Sequence, residues 1–179
     1  LFGDDFKCGA SKISFLIACV FVFYTGFSQI TPAGEARPQL ISNPLVPDFT
    51  LYKAPDSTVF TNKDLVQKKP VLIMILSPEC GHCQHETEVL LKNIDHFKNT
   101  QILMTTWLPY GEMVAFYKTY KIADYPGITM AWDKKYFFLP YYHVQSYPEL
   151  IAYDPNGKFV KTFSGDIKMD EVAAVLGEK

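Results

Sequence analysis

Apolar residues in this chain fall into separate runs whose spacing changes from one stretch to the next. The first run, "ISFLIACVFVFYTGF" at 13–27, follows Lys7 and Lys12 and contains no charge. A second, "PVLIMIL" at 70–76, is short, continuous and rich in branched residues, with Pro70 in front and Pro78 behind. That pattern predicts a strand buried on both faces of a sheet. Beyond Pro78 the period changes. Leu90, Ile94 and Phe97 recur at helical spacing, widened by Val89 and Leu91, so 80–97 is expected to be one helix. "QILMTTW" at 101–107 reads as a second strand, and Met113, Phe116, Tyr117 and Tyr120 mark a second helix over 111–122. Strand, helix, strand, helix implies crossover connections and a parallel core.

The flanking segments are shorter. "DFTLYKAPDSTVFTNKDL" predicts two extended stretches around a Pro-Asp-Ser turn, then a brief helical turn at Asn62, Lys63 and Asp64. Residues 123–147 are less regular and densely aromatic, which suits core filling or a docking surface containing Tyr141, Tyr142 and Tyr147. "ELIAY" and "KFVKTF" flank "DPNG", a strong signal for an antiparallel hairpin. "DIKMDEVAAVLGEK" closes the chain as a helix with Val172, Val175 and Leu176 facing inward.

The run at 13–27 is shorter than the roughly 20 residues a spanning helix needs, and matches the apolar middle of a secretory signal. Gly26 and Ser28 occupy the small-residue positions of a cleavage site after Ser28. The expected organisation is a signal peptide at 1–28, a linker at 29–43 and one domain at 44–179. The alternatives to cleavage are lipidation of Cys19 in "LIAC" or retention of the segment as a membrane anchor. The 179 residues carry 17 Lys and Arg against 19 Asp and Glu, a net charge of −2. The leader holds two of each sign, so the balance persists without it. Such a balance argues against nucleic acid or an anionic surface as partner.

Cysteine usage is more telling. Of four cysteines, Cys8 and Cys19 lie in the leader, and the domain keeps only Cys80 and Cys83. A disulfide framework needs more cysteines at wider separations, and so close a pair closes almost no loop. Stability therefore does not explain it. The pair lies in "SPECGHCQHE", where a buried strand gives way to a helix. Unpaired N–H groups at a helix N-terminus favour negative charge, so Cys80 is expected to be the attacking thiolate. Cys83, one turn on, is the resolving thiol. His82, if protonated, would further stabilise the thiolate, and Glu86 can relay a proton to or from the resolving thiol. His85 and His96 read as surface residues. Glu79, just before the pair, works against thiolate formation.

"PVLIMIL", "SPECGHCQHE", a downstream "SYP" and "DPNGK" together resemble the thioredoxin fold, in particular the exported TlpA/ResA-like thiol–disulfide oxidoreductases. The resemblance covers about residues 44–177. It implies an α/β, thioredoxin-like fold: a central mixed β-sheet flanked by helices, with an N-terminal strand addition from Pro47 to Leu51. It also implies a cis proline at Pro148, with Tyr147 and Pro148 contacting the substrate segment. No cofactor and no metal is implied. The implied partners are protein thiols or disulfides and an upstream redox donor, and the implied protein is a periplasmic monomer, attached to the membrane if the leader is retained or lipidated. Reductase activity is the family expectation, with oxidase or isomerase activity the alternative. Two positions depart from the pattern: Glu79 stands where an aromatic residue is usual, and Glu149 follows Pro148 where threonine is usual.

Two rival readings remain. Cys80, Cys83, His82 and His85 would suit copper or zinc, with His143 as a further ligand, although structural zinc usually draws on two separated clusters. A peroxidase of the peroxiredoxin type shares the fold, but its motif requires a proline where Ile73 stands.

Overall fold

The computed structural model describes residues 42–178, so the expected signal peptide, its cleavage or lipidation site and most of the linker lie outside the described residues. The elements run β1 (Thr50–Lys53), β2 (Val59–Thr61), β3 (Val71–Ile75), α1 (Gly81–Lys92), β4 (Gln101–Thr106) and α2 (Tyr110–Thr119). They continue with β5 (Ile128–Trp132), α3 (Phe138–Tyr142), β6 (Glu149–Tyr153), β7 (Phe159–Phe163) and α4 (Met169–Val175). All seven strands form one sheet in the order β2-β1-β5-β4-β3-β6-β7. β3, β4 and β5 are parallel neighbours. β6 runs antiparallel to β3, β7 antiparallel to β6, and β1 antiparallel to both β2 and β5. This is the expected mixed sheet, but the N-terminal addition expected over Pro47 to Leu51 forms later, as β1 at Thr50–Lys53, where it pairs with β2 and β5. Among the described residues, no helix is long and apolar enough to cross a membrane.

β3 sits near the middle because every residue in it is apolar and every one is buried. Its side chains alternate between two cores. Leu72 and Met74 pack with Leu90 of α1, Met113 and Phe116 of α2, and Val172 of α4. Val71, Ile73 and Ile75 pack with Leu51, Phe60, Phe138, Tyr142 and Tyr153. Helices α1, α2 and α4 thus cover one face and α3 the other. Right-handed crossovers put α1 and α2 on the same face, because the chain steps β3 to β4 to β5 through parallel neighbours in one direction.

Three expectations change. The helix predicted over 80–97 stops at Lys92, and a 3-10 turn follows at Ile94–Phe97. Apolar spacing continues through the break, but the Asn93 side chain donates to the Val89 carbonyl at 2.8 Å and ends the α-helix. The second helix ends at Thr119, short of 122, because Lys121 takes a left-handed conformation (φ 49°) and opens a separate 3-10 turn. The irregular stretch 123–147 contains a whole sheet strand, β5, together with α3.

The aromatics of that stretch mostly fill the core. Phe138 and Tyr142 are fully buried, with Tyr142 meeting Tyr153 in a hydroxyl–hydroxyl hydrogen bond of 2.8 Å. Tyr142 is therefore not part of a docking surface, and Tyr141 and Tyr147 are only partly exposed. Tyr153→Phe leaves the Tyr142 hydroxyl buried without its partner. The expected cost is about 1–3 kcal/mol of unfolding free energy, read from urea denaturation.

The hairpin turn forms as its sequence dictates. Asp154 Oδ1 accepts from the Asn156 and Lys158 amides at 2.8 and 2.9 Å, and Gly157 supplies the positive φ of 74°. The segment at 44–46 lies along this turn, with the Val46 amide donating to the Gly157 carbonyl at 2.9 Å.

Candidate active site

The end of β3 delivers the chain to α1 through a short, well-tethered loop. The Leu76 amide donates to Thr105 O at 3.0 Å, prolonging the parallel ladder one residue past the strand. Gln84 Nε2 donates to Pro78 O at 2.9 Å and ties the loop to the first turn of the helix. Cys80 is the helix N-cap, with extended backbone (φ −81°, ψ 115°) and its carbonyl already accepting from the Gln84 amide at 3.0 Å. Both cysteines are free thiols.

Their environments push them apart. Backbone hydrogen bonding from the Cys83 N–H holds the Cys80 thiol below its ordinary value, helped by the Cys83 thiol and the His82 N–H and opposed by partial burial. Cys83 is fully buried, and burial pushes its thiol up to about 12. The Ser77 amide, donating to Cys83 Sγ at 3.4 Å, and the neighbouring Cys80 modify that only in part. Ionisation is thus favoured at Cys80 and opposed at Cys83. This is the asymmetry that stepwise exchange needs.

The structure places His82 differently from the sequence expectation. Its Nε2 lies 3.1 Å from the Gly165 carbonyl and 3.9 Å from Glu86 Oε1. A carbonyl only accepts, so Nε2 carries the proton in that contact. His82 reaches the Cys80 sulfur through its backbone amide. Glu86 is buried (4% exposed), and burial raises its carboxyl above the ordinary range. Positive charge on His82 and His85 works against that rise, and Asp166 adds to it. A carboxyl whose folded-state value lies above 4.5 makes the fold less stable as pH climbs from 4.5 through that raised value. Glu86→Gln is therefore expected to raise neutral-pH stability relative to the parent, with the gain vanishing below pH 4.5. Urea midpoints measured across pH would show it.

Tyr147 and Pro148 are joined by a cis peptide, as are Ala54 and Pro55. The Tyr147 ring is half-buried against Trp107, with centroids 4.6 Å apart. Burial raises its hydroxyl, with Tyr136, Cys83 and Glu149 adding to the rise, so the ring lies within electrostatic reach of the pair. Glu149, 1% exposed, sits opposite Ile75 in the β3–β6 register, placing a buried carboxyl beneath the site. Trp107 was not singled out in the sequence. Its signal is its position just past the end of a parallel strand beside β3, where parallel sheets gather their functional residues. Among the described residues, no group of three or more His, Cys, Asp or Glu side chains could hold a metal ion. His85 is exposed, and His143 ends α3 in a left-handed conformation (φ 50°). Neither completes a ligand set with the cysteines.

No family model and no curated protein matches this chain. Solved structures do. A secreted Mycobacterium tuberculosis disulfide oxidoreductase homologous to E. coli DsbE matches with a TM-score of 0.58 and 20% identity, over 72% of this chain and 94% of that one. The thioredoxin domain of a Bacteroides vulgatus thiol-disulfide oxidoreductase matches with a TM-score of 0.60 and 21% identity, over 74% and 93%. The exposed lipoprotein thioredoxin Etrx1 of Streptococcus pneumoniae matches with a TM-score of 0.56 and 24% identity, over 73% and 98%. The likeness establishes the thioredoxin fold. Within that fold, this chain presents a Cys-x-x-C pair at a helix N-terminus.

Proposed function

We propose that this protein is an exported thiol–disulfide oxidoreductase that reduces disulfides in partner proteins. The observation that carries the reading is the opposed ionisation of Cys80 and Cys83. The Cys80 thiolate attacks one sulfur of a substrate disulfide. A Cys80–substrate S–S bond forms, the substrate S–S bond breaks, and the departing sulfur takes a proton. Cys83 then loses its proton and attacks Cys80, which closes the Cys80–Cys83 disulfide and releases the second substrate thiol. Two electrons pass from the dithiol to the substrate, and a donor dithiol must return them. In this cycle Cys80 is the nucleophile and Cys83 the resolving thiol. Glu86 is the nearby carboxyl suited to take the Cys83 proton, His82 holds Glu86 and Gly165 together, and Tyr147 with Pro148 forms the apolar wall that receives the substrate.

Direction follows from how far the dithiol form is stabilised. A strongly oxidising couple needs a strongly stabilised thiolate. Here Cys80 is favoured by backbone donors without a facing imidazole, while Glu79 next to it and the buried Glu149 disfavour further negative charge. Export is supported by the apolar run at 13–27 and by solved neighbours described as secreted or as a lipoprotein. The test is an equilibrium titration in dithiol/disulfide buffers, followed by alkylation and mass. A reductase should titrate toward thioredoxin, at about −270 mV, and away from DsbA, at about −120 mV. A protein that never forms the Cys80–Cys83 disulfide in that titration is not an oxidoreductase of this kind.

A further inference from the structure

A cleft of about 340 Å³ opens beside the reactive turn, between the start of α1 and the outer side of α2. Pro78, Glu79 and Gln84 line one wall, with Glu112, Phe116 and Tyr120 opposite. Glu79 and Gln84 bracket Cys80 along the chain, so the cleft adjoins the reactive turn, with Cys80 itself outside its lining. Its polar lining consists largely of acceptors. Glu79 is exposed, and Glu112 Oε2 is buried with no hydrogen-bond partner. The Gln84 amide nitrogen is committed to Pro78 O, which leaves its carbonyl oxygen as the free end. Glu88, outside the lining, is a further carboxylate close enough to act on the Tyr120 hydroxyl. None of these three glutamates belongs to an ion pair among the described residues. Phe116 and Tyr120, both lining the cleft, pack with centroids 4.4 Å apart and give it an aromatic wall.

Carboxylates beside an aromatic wall match a long aliphatic stem that ends in a cation. We infer that this cleft selects disulfide-bearing polypeptides with a lysine or arginine flanking the cysteine that Cys80 attacks, and disfavours anionic disulfides. The inference rests on the exchange reading above and names its substrate class. The electrons are those already described: the dithiol is oxidised to the Cys80–Cys83 disulfide as one substrate disulfide becomes two thiols. Glu79 and Glu112 are specificity-determining residues that act on the approach of the substrate.

Reduced full-length protein is mixed with three disulfide-linked peptide dimers identical except for Lys, Ala or Glu beside the cysteine. Each rate is divided by that peptide's rate with dithiothreitol, which removes differences in leaving-group reactivity. At low salt the Lys peptide is expected to react about tenfold faster than the Glu peptide, shrinking toward unity as salt rises. The Glu79→Gln/Glu112→Gln double variant should lose most of this ratio, and Glu79→Lys should invert it. Equal normalised rates in the parent protein, or an unchanged ratio in the variants, overturn the selectivity while leaving exchange intact. Failure to react with all three peptides overturns the exchange reading and the selectivity with it.

Discussion

Cys83→Ser is expected to halt the reaction halfway, leaving a substrate disulfide-bonded to Cys80 and visible as a mass adduct. Cys80→Ser should give no adduct and lose a hundredfold or more in exchange rate. The magnitude follows from the two thiols. A thiol at about 12 is ionised in only about one molecule in 10⁵ at pH 7, against one in a hundred or more for a thiol at or below 9.0. The more basic sulfur is intrinsically more nucleophilic, which recovers roughly one and a half powers of ten of that gap. Full burial of Cys83 then removes access as well. Alkylation of the reduced protein across pH checks the same asymmetry: Cys80 should label with a midpoint below 9.0, and Cys83 should resist labelling while the fold persists. An adduct on Cys83 in the Cys80→Ser protein, at a rate close to the parent's, would reverse the assignment of nucleophile and resolving thiol.

Phe138→Ala is expected to remove about 3–5 kcal/mol of stability, near the top of the range for a single truncation. Phe138 is fully buried, meets Phe49 edge-on at 5.4 Å and stacks on Tyr142 at 5.5 Å. Its amide also donates to Asp133 Oδ2 at 2.8 Å, so the helix carrying it is pinned before the side chain packs. The cavity would open between α3 and the face of β3 that carries Ile73 and Ile75. Tyr136→Ala, two residues away and 52% exposed, should change stability by no more than about 0.5 kcal/mol. Urea unfolding of both variants distinguishes core filling from a surface role for this aromatic tract.

The parts of the fold legible in the sequence are those where local chemistry and tertiary environment agree. The continuous apolar run of β3 has only one stable place, inside a sheet, and "DPNG" specifies its own turn. The strand-to-helix junction then follows, and with it the roles expected of Cys80 and Cys83. β5 was not legible because "ITMAW" is five residues long inside an aromatic tract, and its strand character comes from pairing with Leu103 and Thr105 across the sheet. The break at Asn93 depends on one side chain turning back on the preceding helical turn, which apolar spacing does not register. The direction of the His82 ring depends on Gly165, a loop residue far along the chain. The facing of Glu79 and Glu112 likewise depends on α1 and α2 sharing one face of the sheet, which strand order decides.

β3 is hydrogen-bonded along its whole length on both sides, Val71 to Ile75 pairing with Gln101 to Thr105 and with Tyr153 to Glu149. The amides of Leu72 to Met74 should therefore be among the last to exchange with deuterated solvent, opening only when the whole domain unfolds. The reactive turn begins two residues beyond that strand. The nucleophile follows closely on a strand paired on both sides, and the adjustment needed to align three sulfurs for exchange falls to the incoming polypeptide. A substrate whose disulfide lies in a loosely held segment should then be reduced faster than the same disulfide locked in a compact fold.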